Sequence, residues 1–85
     1  MAELKINIPE YAKEQGAVSV WEDGFLIKSE VLNDQIMISA NHAGLISLAK
    51  QLLFLAHAET SPGCHYHLEH NSLESGSKEI VISKI

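Results

Sequence analysis

The sequence predicts an α+β fold: a mostly antiparallel β-sheet of about five to six strands with one amphipathic α-helix packed on one face. Three observations carry this. Asp23-Gly24 and Asn33-Asp34 are two-residue turn signals set between alternating apolar and polar runs. One stretch, from Asn41 to Ala58, has its apolar residues at helical spacing. Two more strand-like runs follow it, Cys64 to Glu69 and Lys78 to Lys84. At 85 residues the chain makes a single domain, 1–85, with a core thin enough that oligomerisation would help it.

Taken in order, Leu4-Lys5-Ile6-Asn7-Ile8 alternates and Pro9 ends it, so it reads as a strand. Residues 10–16 read as a helical turn or loop closed by Gly16. Ala17 to Glu22 and Phe25 to Leu32 are two strands joined by Asp23-Gly24, and Asn33-Asp34 leads into a third, Gln35 to Ala40. The first turn sets Val20 against Ile27 and Trp21 against Leu26. The second sets Val31 against Ile36, Ser29 against Ile38 and Ile27 against Ala40. Both hairpins then agree on one apolar face: Val18, Val20, Phe25, Ile27, Val31, Ile36, Ile38 and Ala40. Trp21, Leu26, Lys28, Glu30, Met37 and Ser39 fall on the other, and a slip by one residue would scramble both sets.

Asn41 is a good N-cap for the helix. Leu45, Ile46, Leu48, Ala49, Leu52, Leu53, Leu55 and Ala56 occupy about half of its wheel and are expected to face the sheet. Ser47, Lys50, Gln51, His57 and Ala58 fill the other half, with Phe54 in its middle. The helix ends before the loop Thr60-Ser61-Pro62-Gly63. A long loop, 70–77, separates the last two strands.

Composition narrows the function. The net charge is −5, from eleven acidic residues against six lysines and no arginine. Phosphate neutralisation and base readout both need basic side chains, so this balance argues against a nucleic-acid binder. An acidic surface suits a basic protein partner, and in the plainest reading it simply keeps the chain soluble. No apolar run of eighteen residues and no signal peptide is present, which predicts no membrane association and a cytoplasmic protein. A single cysteine precludes an internal disulfide and fits a reducing compartment.

The densest cluster of reactive side chains is Gly-Cys-His-Tyr-His-Leu-Glu-His, 63–70. On a strand, Cys64, Tyr66 and Leu68 share one face and suit the core. His65, His67 and Glu69 share the other, where a His-x-His pair and a carboxylate could hold zinc or another divalent metal. No fourth ligand or supporting partner can be named, so a solvated face or a contact with a protein partner is the preferred reading. Cys64 and His65 point to opposite faces, which removes them as a nucleophile and base. No phosphate-cradling loop, catalytic carboxylate pair or nucleophile elbow is present; Ser75-Gly76-Ser77 is a turn. No catalytic residue, cofactor or metal is therefore assigned, and the chain reads as no enzyme. Trp21 and Leu26 on the sheet face away from the helix, and Phe54 on the helix's polar side, complete the candidate partner-binding residues.

The stretch ISANHAGLISLAKQLLFLAH, followed by GCHYHLEHNSLESGSKEIVISKI, resembles the Immunity protein 32 family of bacterial polymorphic-toxin systems. The similarity runs through Gly-Leu-x-x-Leu-Ala-x-x-Leu-Leu-x-Leu-Ala, the His-x-His-Leu strand and the Leu-x-x-Gly-Ser turn into Glu-Ile-Val-Ile. It spans roughly residues 36–83 and leaves the N-terminal part uncovered. The resemblance implies a small cytoplasmic protein that binds and neutralises a toxin domain, many such toxins being basic nucleases. It carries over no catalytic residue and gives His65 and His67 no role. The expectation is thus a protein-binding module. Two alternatives stay open: a metal-binding protein using His65, His67 and Glu69, and a homodimeric structural domain of no ligand.

Overall fold

Asn33 and Asp34 both adopt left-handed backbone, with φ of 51° and 62°. A type I′ turn requires this of both central residues, and Asn and Asp are the side chains that tolerate it best. The turn closes β1 (Ile27–Leu32) onto β2 (Gln35–Ala40). Val31 lies opposite Ile36, Ser29 opposite Ile38 and Ile27 opposite Ala40, as the turn chemistry predicts. The structure is a computed structural model that describes Glu3, Lys5, Ile6 and residues 20–85. After the hairpin come α1 (His42–Ala56), β3 (His65–Leu68) and β4 (Ile80–Ser83). β3 and β4 pair antiparallel, with Tyr66 opposite Ile82 and Leu68 opposite Ile80.

The α+β class holds, but the sheet is divided. Among the described residues there are four strands in two small sheets, rather than one sheet of five to six. Lys5 and Ile6 are irregular; the rest of the expected first strand, the turn over 10–16 and residues 17–19 lie outside the described residues. Val20 to Glu22 are irregular as well, so the expected pairs Val20–Ile27 and Trp21–Leu26 are not formed. Asp23-Gly24 still makes its turn, with Gly24 at φ 76° and the Phe25 N–H donating to the Glu22 carbonyl at 3.3 Å.

The free edge of β1 is taken up by a segment that the sequence presents as a loop. The Glu74 N–H donates to the Ile27 carbonyl at 2.8 Å, and the Lys78 N–H to the Ser29 carbonyl at 3.1 Å. The Ser29 N–H donates to Ser77 Oγ at 3.1 Å, and the Ser29 hydroxyl to the Lys78 carbonyl. Ser29 is thereby buried with its polar atoms satisfied. Residues 74–78 thus run along β1 like an irregular third strand and deliver the chain into β4.

Two apolar clusters form the core. Ile27, Leu68 and Leu73 make the first, flanked by Trp21, Phe25, Leu48 and Ile80. Phe54, Leu55 and Tyr66 make the second, and Ile82 packs against both. Cys64, Tyr66 and Leu68 do point inward together, as strand parity requires.

The helix sits about a third of a turn away from the expected rotation. Its buried residues are Gly44, Ser47, Gln51, Phe54 and Leu55, while Leu45, Leu52 and Leu53 are exposed. Phe54, expected outward, is only 1% exposed. The cause is a polar stripe that binds backbone. Gln51 Nε2 donates to the Val20 carbonyl at 3.0 Å, and Gln51 Oε1 accepts from the Val20 N–H at 3.3 Å. The amide group thus acts as a surrogate strand for that residue. Ser47 Oγ accepts from the Glu22 N–H at 2.8 Å, and Lys50 Nζ meets Glu22 Oε1 at 2.9 Å. Buried backbone groups must be paired, so the stripe faces inward.

Asn41 locks the same end. Its Oδ1 accepts from the Gly44 N–H at 2.8 Å as an N-cap and from the Leu26 N–H at 3.0 Å, while its Nδ2 donates to the Gly24 carbonyl at 2.9 Å. At the other end Lys84 Nζ donates to the His57 and Thr60 carbonyls, both at 2.8 Å. A cation there also suits the negative end of the helix dipole.

These contacts set two expected outcomes. Replacing a helical glycine by alanine ordinarily stabilises by up to ~1 kcal/mol. At Gly44, however, a Cβ would lie 2.5 Å from the Leu26 carbonyl oxygen. Gly44→Ala is therefore expected to destabilise, by about 1–3 kcal/mol, measured as a lower urea midpoint. Gln51→Leu leaves the Val20 backbone groups unpaired and is expected to cost about 1–3 kcal/mol in the same assay, despite adding apolar area. An unchanged midpoint would show that the stripe does not set the helix rotation.

Candidate partner-binding surface

β3 divides its side chains by parity. His65 and His67 stand on the exposed face and Glu69 continues it half-buried. His65 Nδ1 lies 2.9 Å from the Gly63 carbonyl oxygen. A carbonyl only accepts, so Nδ1 is the donor in this hydrogen bond. The two imidazoles meet edge to face, centroids 4.9 Å apart at 76°. His67 Nδ1 and Glu69 Oε1 are 4.0 Å apart, and both side chains are well solvated. At that distance and exposure the pair contributes little. Among the described residues no three His, Cys, Asp or Glu side chains are placed to hold a metal ion. The alternative metal reading of His65, His67 and Glu69 thus lacks a ligand set, and His70, just past the strand, does not complete one.

The partner strand extends this face. Ser83 lies opposite His65, and Val81 opposite His67; Val81 is exposed. Val81 also lines a shallow groove of about 270 Å³, together with Val31, Ile36, Ile38 and Ile80. Glu30, Lys78 and Glu79 edge this groove. The far wall is the hairpin's apolar face. That face enters the core at its base, through Ile27 and Ala40, and its tip runs beyond the core. Ile36 is 76% exposed, Val31 56% and Ile38 46%. Imidazoles, Val81 and the hairpin tip therefore form one continuous surface, apolar in the middle and charged at the rim. Patches of that make-up mark interaction sites.

Three of the expected site residues are placed differently from one another. Leu26 is exposed as expected, its backbone held by Asn41. Trp21 does not stand on an open sheet face: it is half-buried, stacks on Phe25 at 4.7 Å and packs against the Ile27, Leu68 and Leu73 cluster. Phe54 is buried edge to face against Tyr66, centroids 6.1 Å apart. Both aromatic rings support the fold from within, because the rotated helix and the irregular 20–22 segment turn them inward.

Sequence reasoning passed over the hairpin tip and Val81, having placed the former under the helix. A signal was present: β2 carries Ile36, Met37 and Ile38 in a row with no charge, apolar on both faces. A second cleft, of about 540 Å³, lies at the start of α1 between Lys5, Asp23, His42 and the Glu22–Lys50 pair. It holds both signs of charge and its shortest ion pair is already made internally.

Residues 35–85 match the family model described as Immunity protein 32. No curated protein and no solved structure matches the chain. The matched span begins at β2 and takes in α1, β3 and β4, so it contains most of the surface just described. Among the described residues no helix is long and apolar enough to cross a membrane.

Tyr66, beneath this surface, gives the fold a pH dependence. Burial first, and the neighbouring Cys64 thiolate second, push its phenol up from 10.0 to about 12. An unfolded tyrosine releases its proton near pH 10 and the folded one near pH 12, so deprotonation favours unfolding between them. The contribution is complete below pH 10 and lost as pH rises through about 12. The urea midpoint should fall across that window, and Tyr66→Phe should flatten the fall whatever its absolute stability.

Proposed function

The chain belongs to the Immunity protein 32 family, and from that membership we propose a non-enzymatic binding protein that captures a bacterial toxin domain and neutralises it by covering it. One observation carries the choice of surface: the imidazole face of β3 runs without interruption, through Val81, into an apolar groove. His65, His67 and the adjoining Glu69 supply hydrogen-bonding capacity at one end. Val31, Ile36 and Ile38 supply desolvatable area at the other, and Leu26 is a peripheral contact. Binding of this kind needs no chemistry from the chain. It needs an apolar centre from which water can be expelled and a polar rim that sets orientation.

Electrostatics adds direction. With eleven acidic residues against six basic ones the chain repels acidic proteins and draws basic ones, which raises the rate of encounter with a basic toxin. A cytoplasmic site of action follows from the same reading, since the producing cell is protected where the toxin would act.

The direct test first identifies a toxin domain encoded beside this chain and then measures its affinity by calorimetry. Val81→Lys places a charge at the centre of the surface and is expected to weaken binding about tenfold or more, leaving the melting temperature nearly unchanged. Phe54→Leu should do the reverse, lowering stability with little effect on affinity, because Phe54 is in the core. Wild-type affinity in Val81→Lys and in a His65→Ala/His67→Ala double variant would remove this face as the interface.

A further inference from the structure

β2 has the composition of an interior strand and occupies the position of an edge. Five of its six residues are exposed, Gln35 to Ser39, and none of the six is charged. Ile36 and Ile38 stand on one face and Met37 on the other, so both faces are apolar. Strands of that kind are normally flanked on both sides. One edge of β2 pairs with β1; among the described residues no strand pairs with the other. The usual protections of an exposed edge, a lysine, a proline or a bulge, are absent from it.

We propose that a second copy of this chain covers that edge, β2 pairing antiparallel with β2 about a two-fold axis through Met37. This goes beyond toxin binding and does not rest on it. The register is self-complementary. Met37 faces its counterpart, Ile36 faces the partner's Ile38 and Gln35 faces the partner's Ser39, each keeping its own side of the sheet. The charge pattern permits it: although each chain carries a net charge of −5, no charge lies on either paired strand, and Asp34 at the turn falls opposite the partner's Ala40. A partner strand with charged side chains would have no opposite charge to meet on β2, which favours a copy of this strand. The product is a four-stranded sheet whose grooves lie on one side. A six-residue strand is about 20 Å long, and its edge buries less than the ~800 Å² per partner of a standard interface. The dimer therefore dissociates on dilution, and the chain exchanges between one and two copies.

Sedimentation equilibrium over a range of concentrations tests this, with two charge variants on exposed positions. In the doubly substituted Ile36→Lys/Ile38→Lys chain, the proposed register opposes lysine to lysine twice. Ile36→Glu/Ile38→Glu opposes glutamate to glutamate. Each alone should raise the dissociation constant about tenfold or more. Mixing the two should restore a mixed dimer, because both contacts become complementary. Hydrogen exchange on the wild-type chain supplies a reading independent of the variants: amide protection across 35–40 should rise with concentration. A single-chain mass at every concentration overturns the proposal. So does a wild-type dimer whose 35–40 amides gain no protection, or one that survives both variants, since the interface would then lie elsewhere.

Discussion

The amide of Gln51 and the hydroxyl of Ser47 decide how this molecule is assembled. Together they pair the backbone of Val20 and Glu22, an irregular stretch that pairs with no strand among the described residues. A helix whose most hydrophobic face would otherwise be buried is held in another rotation. The preference is intelligible in magnitude. Leaving these part-buried backbone groups unpaired costs up to about 1–3 kcal/mol each. Exposing part of a leucine costs less than the ~1.5–3 kcal/mol of its full transfer. Leu48 and Leu55 at one edge of the apolar stripe still reach the core, while Leu45, Leu52 and Leu53 are given up to solvent.

With the helix so fixed, the two small sheets have to be joined by other means. Residues 74–78 join them by bonding along β1, and Ile82 by touching both apolar clusters. The Gly63 N–H donates to the Lys84 carbonyl at 2.8 Å and the Lys84 N–H to the Cys64 carbonyl at 2.9 Å, which extends the β3–β4 pairing. The Lys84 side chain then reaches the helix C-terminus. Asn41 does the equivalent at the helix start, binding the turn that precedes β1. Both ends of α1 are thus tied to the strands by single polar side chains, which suits a chain too small to rely on apolar burial alone.

The same arrangement creates the surface. A core centred on Ile27, Leu68 and Leu73 reaches only the base of the hairpin, and the tip extends past it with Val31, Ile36 and Ile38 uncovered. Val81 connects that overhang to the imidazoles of β3. A hairpin that outruns its own core leaves a large apolar area exposed from few residues.

Much of this was legible in the chain. The Asn33-Asp34 turn dictated a register of β1 and β2 that is met pair for pair, because a two-residue loop leaves only one. Strand parity sorted Cys64, Tyr66 and Leu68 from His65 and His67. The cap at Asn41 marked the start of the helix, and the motifs over roughly residues 36–83 pointed to the family. All of these are local: they depend on backbone period and on neighbours a few residues away. Helix rotation, the burial of Phe54 and Trp21 and the docking of 74–78 on β1 are not. They depend on partners 31, 25 and 49 residues apart in the chain. Wheel arithmetic gives polar side chains to water by default, whereas Ser47 and Gln51 here bond to the backbone of Val20 and Glu22. Only the tertiary structure brings that backbone to them, and so only it decided which face of the helix, and which end of the hairpin, the protein leaves exposed.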